Sequence, residues 1–451
     1  MDEELEKRAL KYHAEKRPGK TETIPTKAFG TVDDLSLAYT PGVAAPVKEI
    51  DRERWKAYRY TNKGNLVAVV SNGSAVLGVG NVGALASKPV MEGKAMLFKI
   101  FADIDAFDIE ISDEEPERII ATIQAIAPTF GGINLEDIKA PECFYIEEKL
   151  RSLLDIPVLH DDQHGTAVII SAALMNACSI AGKKITGIKV VICGAGAAGI
   201  STARMLTRLG IKRENISMVD SKGVISSTRS DLSTVKKEFA IETPFSTLSQ
   251  AMTNADVFIG VSRGNLLRNH DLEVMSENPI IFALANPTPE IDYERAQHLR
   301  PDAIIATGRT DLPNQINNAI AFPYIFRGAL DTLSTTINAP MLLAAASAIA
   351  ATAREAVSEE IKERYGKDLE FGKEYILPKI GDPRLLTEVT VAVAQAAMES
   401  GVARRRIASF REYRSSLESR VDNSNFFSCD RIRHRSRTRN HQGCENRLNR
   451  I

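Results

Sequence analysis

The sequence predicts an α/β protein: a doubly wound parallel sheet in mid-chain, a separate α/β unit before it and helices after it. Three observations carry this. Short apolar runs alternate with helical periodicity through most of the chain, the spacing of parallel strands joined by crossover helices. The stretch Lys189–Asp220 reads as a complete strand, turn, helix and second strand. From about Leu330 to Leu417 the periodicity is helical throughout.

In chain order, residues 1 to about 17 read as a charged helix ended by Pro18-Gly19. AYTPGVAAPVKEI follows as an irregular, proline-punctuated segment around Tyr39, either a surface connection or the edge of a site. In LVAVVSNGSAVLGV, Asn72-Gly73 reads as a hairpin turn between antiparallel runs. Gly78, Gly80 and Gly83 then form a G-x-G-x-x-G, but Pro89 lies where it should break any helix that would carry phosphates. MEGKAMLFKI is a short helix with Lys94 among apolar neighbours. Its ammonium either reaches water on a buried stem or loses affinity for its proton through burial.

FADIDAFDIEISD alternates as a strand, and a helix from Glu117 to Ala127 follows it. The next strand ends in Glu136-Asp137, and another, through Val158 and Leu159, ends in Asp161-Asp162 before a helix from about Gly165. Two carboxylate pairs at strand ends can converge on a hard divalent cation such as magnesium or manganese, which prefer oxygen ligands. His160 and His164 imitate H-E-x-x-H, but that motif needs both imidazoles on one helix, and here the first ends a strand.

Val190–Cys193 is a buried strand, and Gly194, Ala195, Gly196, Ala197, Ala198 and Gly199 form a second G-x-G-x-x-G in complete strand–turn–helix context. The first glycine makes the turn, the second admits a pyrophosphate, and the third packs the helix on the sheet. The phosphates sit on free helix N–H groups. This is a Rossmann unit, with core about 186–325. Asp220 ends its second strand, where an acid accepts hydrogen bonds from an adenine ribose, favouring NAD by repelling a 2′-phosphate, although Lys222 could pair with that phosphate and leaves NADP possible. Asn286 falls at a later strand end, and Asn317-Asn318 opens a helix. The remainder after about Leu417 is arginine-rich and aperiodic and reads as disordered.

Composition narrows the partners. In 451 residues, 57 basic groups face 58 acidic ones, which offers no global field for nucleic acid or membrane and points to a small-molecule substrate. The five cysteines lack metal-ligand spacing. The charged start MDEELEKRAL has no signal-peptide apolar region, and the run MLLAAASAIAATA is too short for a membrane span. A cytoplasmic protein is expected.

The ordered blocks AYTPGVA, LGVGNVG, MEGKAMLFK, NLEDIKAPECF, VLHDDQHGTA, GAGAAG, ANPTPE and PNQINNAIAFP resemble those of small-subunit prokaryotic malic enzymes over roughly residues 10 to 415. The resemblance implies oxidative decarboxylation of L-malate to pyruvate and CO2 with NAD or NADP and Mg or Mn, in a homodimer. It implies Tyr39 as general acid, Lys94 as general base, Glu136, Asp137 and Asp162 as metal ligands, Asp161 behind them, and Asn286 and Asn318 on the substrate carboxylates. Asn286 would also border the cofactor. The expected division is 1–158 for substrate and metal, 159–390 for the dinucleotide, 391–417 as a C-terminal helix and 418–451 as tail. A dehydrogenase of a small hydroxy or amino acid that does not decarboxylate is the alternative reading.

Overall fold

The computed structural model describes residues 3–420 apart from 16–17, 28, 77 and 366–367, so the expected disorder of the arginine-rich tail lies almost wholly outside the described residues. Two sheets organise the chain. The first is four-stranded and wholly parallel in the order β2-β1-β3-β4, with β1 Leu66–Ser71, β2 Asp105–Glu110, β3 Gly132–Leu135 and β4 Val158–His160. The second runs β10-β9-β8-β5-β6-β7, from β5 Val190–Cys193, β6 Ile216–Asp220, β7 Gly223–Val224, β8 Val257–Gly260, β9 Ile280–Ala283 and β10 Ile304–Thr307. Only the short β6–β7 pair is antiparallel. The order reverses between β5 and β8, the switch point where such sheets bind ligands beyond their carboxyl ends.

One continuous core joins the sheets. Val67 and Val69 of β1, the helix Asp161–Ile180, Ile192 of β5, and Phe322 and Phe326 of the helix Phe322–Asp331 belong to a single buried cluster. Phe98 sits at its centre, edge-on to Phe322 and Phe326 with ring centroids 4.7 and 5.3 Å away. The other face of each sheet has its own core.

Three local readings are corrected. Asn72-Gly73 does not close a hairpin, because β1 pairs with β2 and β3, both parallel. The turn instead feeds a long helix: the Gly73 N–H donates to Ser71 Oγ, and the Gly73 carbonyl accepts the N–H groups of Val82 and Gly83. Pro89 does not break that helix, which runs unbroken from Gly83 to Ala102. The carbonyl deprived of a partner is that of Leu85, a residue at the surface and open to solvent, and burial of Met91, Ala95, Phe98 and Phe101 outweighs the loss. AYTPGVAAPVKEI is helical over its second half, within Ala44–Arg52, and the preceding helix Val32–Ala38 ends on its first residue. Pro46 occupies the first turn of the second helix, where no backbone N–H is needed.

Far segments are tied by one buried ion pair. Arg327 gives Asp331 two bonds, of 3.0 and 2.7 Å, and reaches Asn65 just before β1, while the Tyr413 hydroxyl of the last helix, Phe410–Glu418, donates to Asp331 at 2.7 Å. Asp331→Ala strands the guanidinium without a counter-charge and is expected to cost about 3–5 kcal/mol. A lowered urea midpoint checks this; an unchanged midpoint would mean that the pair carries no net stability.

Candidate active site

The helix Asp161–Ile180 starts directly after β4, four residues earlier than the sequence suggests, so Asp161 and Asp162 occupy its first turn, where the helix dipole favours negative charge. Glu136 and Asp137 follow β3 at the same sheet edge. Asp137 takes the left-handed conformation, φ 53°, and is pinned on both sides. Its N–H donates to Asp162 at 2.8 Å and its carbonyl accepts the Ala75 N–H at 2.9 Å. Ligand oxygens of Glu136, Asp137 and Asp162 then lie within 4.8 Å of one another.

Lys94 projects into this group from the Gly83–Ala102 helix. Its Nζ lies 2.7 Å from Glu136 Oε1 and 2.6 Å from Asp161 Oδ2, above the Phe322 ring at 4.3 Å. Neither alternative read from the sequence describes this metal-free arrangement, since the buried ammonium meets carboxylates rather than water. Burial does pull its pKa down, but Asp161, Glu136 and Asp162 together outweigh burial, and the net shift is upward. The carboxylates are displaced too: burial, then mutual repulsion, raises Asp137, and burial raises Glu136 and Asp162 against the pull of Lys94.

A divalent cation fits this donor set. The oxygens are hard, crowded like charges need neutralising, and Asp137 Oδ2 is buried with no hydrogen-bond partner. Among the described residues neither histidine belongs to a cluster that could hold a metal ion. His160 is buried, and burial lowers its pKa to about 4, so it is neutral; His164 Nε2 instead meets the buried Glu147 at 2.9 Å. Glu147 also accepts the His160 N–H at 3.1 Å, so one carboxylate anchors the start of the acid-bearing helix. Sequence reading missed it, because nothing in IEEKL separates it from a surface glutamate. Asn134, which donates to Glu136 Oε2 at 2.9 Å, was missed for the same reason.

The downstream glycine turn meets its steric demands. A Cβ on Gly199 would stand 1.8 Å from the Gly194 carbonyl oxygen, and one on Gly194 would stand 2.6 Å from that of Val261, beyond β8. The helix Ala197–Arg208 thus presses on the turn at the switch point, with Ala195, Gly196, Ala197 and Ala198 forming its entry. Upstream, a Cβ on Gly83 would meet nothing, and the whole of Asn72–Val82 separates strand from helix, which distinguishes the two glycine motifs by contact rather than by spelling.

The acid-bearing helix borders the downstream elements. Ser201 of the glycine-turn helix donates to Gln163, beside Asp162, at 3.4 Å. A Cβ on Gly165 would stand 1.8 Å from Asp161 Oδ1 and 3.2 Å from Asn318 Cβ, so Asn318 borders the acid helix. Asn286 packs against Gly308, and its neighbour Pro287 against Gly78 of the upstream loop. Tyr39 is not brought in. It is 69% exposed, in the connection between the helices Val32–Ala38 and Ala44–Arg52.

Asp220 ends β6 as expected, but its carboxylate is engaged. Arg229 binds it at 2.8 and 3.1 Å, Lys236 at 2.7 Å and the Lys222 N–H at 2.9 Å. Burial would raise its pKa, yet these donors hold it down at about 2.

The malic enzyme NAD-binding domain family matches residues 163–399, and the malic enzyme N-terminal domain family matches 18–116 and 110–151. The chain belongs to the malic enzyme family. It is 52% identical over 430 residues to a Haemophilus influenzae protein named NADP-dependent malic enzyme, covering 95% of this chain and 57% of that protein. It is 51% identical over 425 residues to a Rhizobium meliloti NAD-dependent malic enzyme, covering 94% of this chain and 55% of that one. The chain thus spans little more than half the length of these curated relatives. A solved malic enzyme from Pyrococcus horikoshii superposes with a TM-score of 0.87 at 43% identity, over 96% of this chain and 99% of that one. Among the described residues no helix is long and apolar enough to cross a membrane.

Proposed function

We propose that this malic enzyme oxidises L-malate and decarboxylates it to pyruvate and CO2, reducing a nicotinamide dinucleotide, as a metal-dependent homodimer. The observation that carries the reading is Lys94 held between Glu136 and Asp161, beside a cation-competent acid cluster whose helix touches the glycine-turn helix. Residues 1–158 form the substrate and metal part and 159–390 the dinucleotide part. Glu136, Asp137 and Asp162 would hold Mg or Mn, which would supply Lewis-acid polarisation of the malate hydroxyl and carboxylate, and the glycine turn would hold the dinucleotide, which would supply the hydride acceptor.

Lys94 takes the C2 hydroxyl proton, and Asp161 keeps its Nζ aimed there. To take that proton Lys94 must first be neutral, and Asp161, Glu136 and Asp162 hold its own proton on, so a cation on Glu136 and Asp162 would offset part of that hold. Asn286 and Asn318 bind the substrate carboxylates, and Tyr39 protonates C3 after CO2 departs. Purified protein with malate, manganese and dinucleotide should yield pyruvate and reduced nicotinamide in equal amounts; reduced nicotinamide without pyruvate would support the non-decarboxylating alternative.

For the cofactor we propose NADP over NAD, the reverse of what Asp220 alone suggests. Its carboxylate is already occupied, and Arg229, Lys236 and Lys222 set three cations around Asp220 and Asp231, leaving a net positive corner for a 2′-phosphate. Arg229→Ala should lower kcat/KM for NADP roughly 10- to 100-fold, the worth of charged hydrogen bonds, and leave NAD within a few fold. An unchanged ratio between the cofactors would refute the assignment.

A further inference from the structure

Glu290 is fully buried. Among the described residues its side chain meets no cation and takes its hydrogen bonds from backbone N–H groups, Ser262 at 3.2 Å on Oε1 and Ala285 at 3.1 Å on Oε2. Burial raises its pKa against the pull of those donors. A carboxylate held in this way costs stability, and such a cost persists where a functional group depends on it.

The two donors stand at the ends of neighbouring strands. Ser262 lies just beyond β8, and Ala285 lies just beyond β9, directly before Asn286. Backbone bonds lace the two loops further, from the Asn265 N–H to the Pro289 carbonyl at 2.9 Å and from the Leu267 N–H to the Glu290 carbonyl at 3.0 Å. Room for the carboxylate is built into β8, because a Cβ on Gly260, its last residue, would stand 2.3 Å from Glu290 Cδ. A Cβ on Gly264 would stand 2.5 Å from the Thr288 carbonyl oxygen, so the loops meet with no space to spare. The first loop also presses on the glycine turn, through Val261 against Gly194, and the second carries Asn286 to Gly308. Both oxygens of Glu290 must accept at once, which a carboxylate does and a carboxamide does not.

We infer that Glu290 is a positioning residue for malate: one carboxylate clamps the loops after β8 and β9 together and thereby fixes Asn286 where it meets the substrate carboxylate. The inference rests on the substrate role given above to Asn286, and the test separates the two. Malate KM and kcat are measured at saturating manganese and dinucleotide for Glu290→Gln, Asn286→Ala and the double variant, each checked for folding by circular dichroism. Glu290→Gln keeps the volume and frees one of the two N–H groups. It should lower kcat/KM for malate about 10- to 100-fold, chiefly through KM, the scale of a group misplaced by about 1 Å. The double variant should stay within about twofold of Asn286→Ala, because a residue that acts through another adds nothing once that other is gone.

A purely structural glutamate would reduce the amount of folded protein, which scales the measured kcat and leaves KM alone, so a parental malate KM in Glu290→Gln would overturn the inference. Costs that multiply in the double variant would overturn it too, since Glu290 would then act independently of Asn286. A parental KM in Asn286→Ala would defeat the substrate role of Asn286 itself, and the inference with it. Should Glu290→Gln not fold, Glu290→Asp keeps both acceptors on a shorter stem and is expected to raise the malate KM in the same way; a parental KM there would be equally fatal.

Discussion

Lys94→Ala is expected to abolish malate oxidation while leaving dinucleotide binding intact. The lysine is buried, its Nζ is fixed by two carboxylates and a ring face, and no other described cation touches the acid cluster. A positioned general base contributes roughly 10²- to 10⁴-fold, so kcat should fall at least that far. The glycine turn and Asp220 lie on other elements, and dinucleotide affinity, measured by fluorescence quenching, should hold within a few fold. Full activity in the folded variant would remove Lys94 from the mechanism. The substitution also leaves Glu136 and Asp161 without their buried counter-charge, so the variant should depend more steeply on divalent cation for stability than the parent.

The second large effect concerns those acids and pH. Without cation, Glu136, Asp137 and Asp162 hold protons more tightly in the folded protein than in the unfolded chain, because burial and crowding disfavour their charged forms. Between the ordinary carboxylate value near 4 and the raised folded values, the native state binds more protons, so their contribution to stability declines as pH rises. Metal-free protein should therefore lose melting temperature from pH 5 to pH 8 through these groups, and manganese should restore it most at pH 8. At 100 times its dissociation constant the ion contributes about 2.7 kcal/mol. Asp137→Asn is expected to act in opposite directions. An amide there needs no proton taken up on folding, so the metal-free protein should gain stability at pH 8, whereas loss of a ligand should nearly eliminate both the manganese-dependent rise and turnover. A variant that melts like the parent with and without manganese would show that Asp137 neither repels its neighbours nor binds the ion.

How much was legible depended on distance along the chain. The β5 turn, its helix and Asp220 fall within one short stretch, and their steric logic is written in the spacing of Gly194, Gly196 and Gly199. The acids at the ends of β3 and β4 were equally legible, since strand ends announce themselves by the change from apolar to polar residues. The hairpin at Asn72-Gly73 was misread because turn chemistry is local but strand pairing is not: β1 found its neighbours in β2 and β3. Pro89 was misread because a propensity was weighed without the core that opposes it.

What the amino-acid order determined by itself is therefore the inventory: a dinucleotide turn, paired acids at strand ends, a lysine in an apolar helix and a family signature. The tertiary structure decided the charge states and the company each group keeps. Lys94 meets Asp161 across 67 residues, and that meeting raises its proton affinity where burial alone would lower it. Asp220 was legible as an acid, but its capture by Arg229 and Lys236 depends on how the loop after β7 packs. Tyr39 was singled out only through the family resemblance, and its exposure emerges only in three dimensions. Electrostatic fields and contacts sum over neighbours in space, and chain order names those neighbours only where the separation is a few residues.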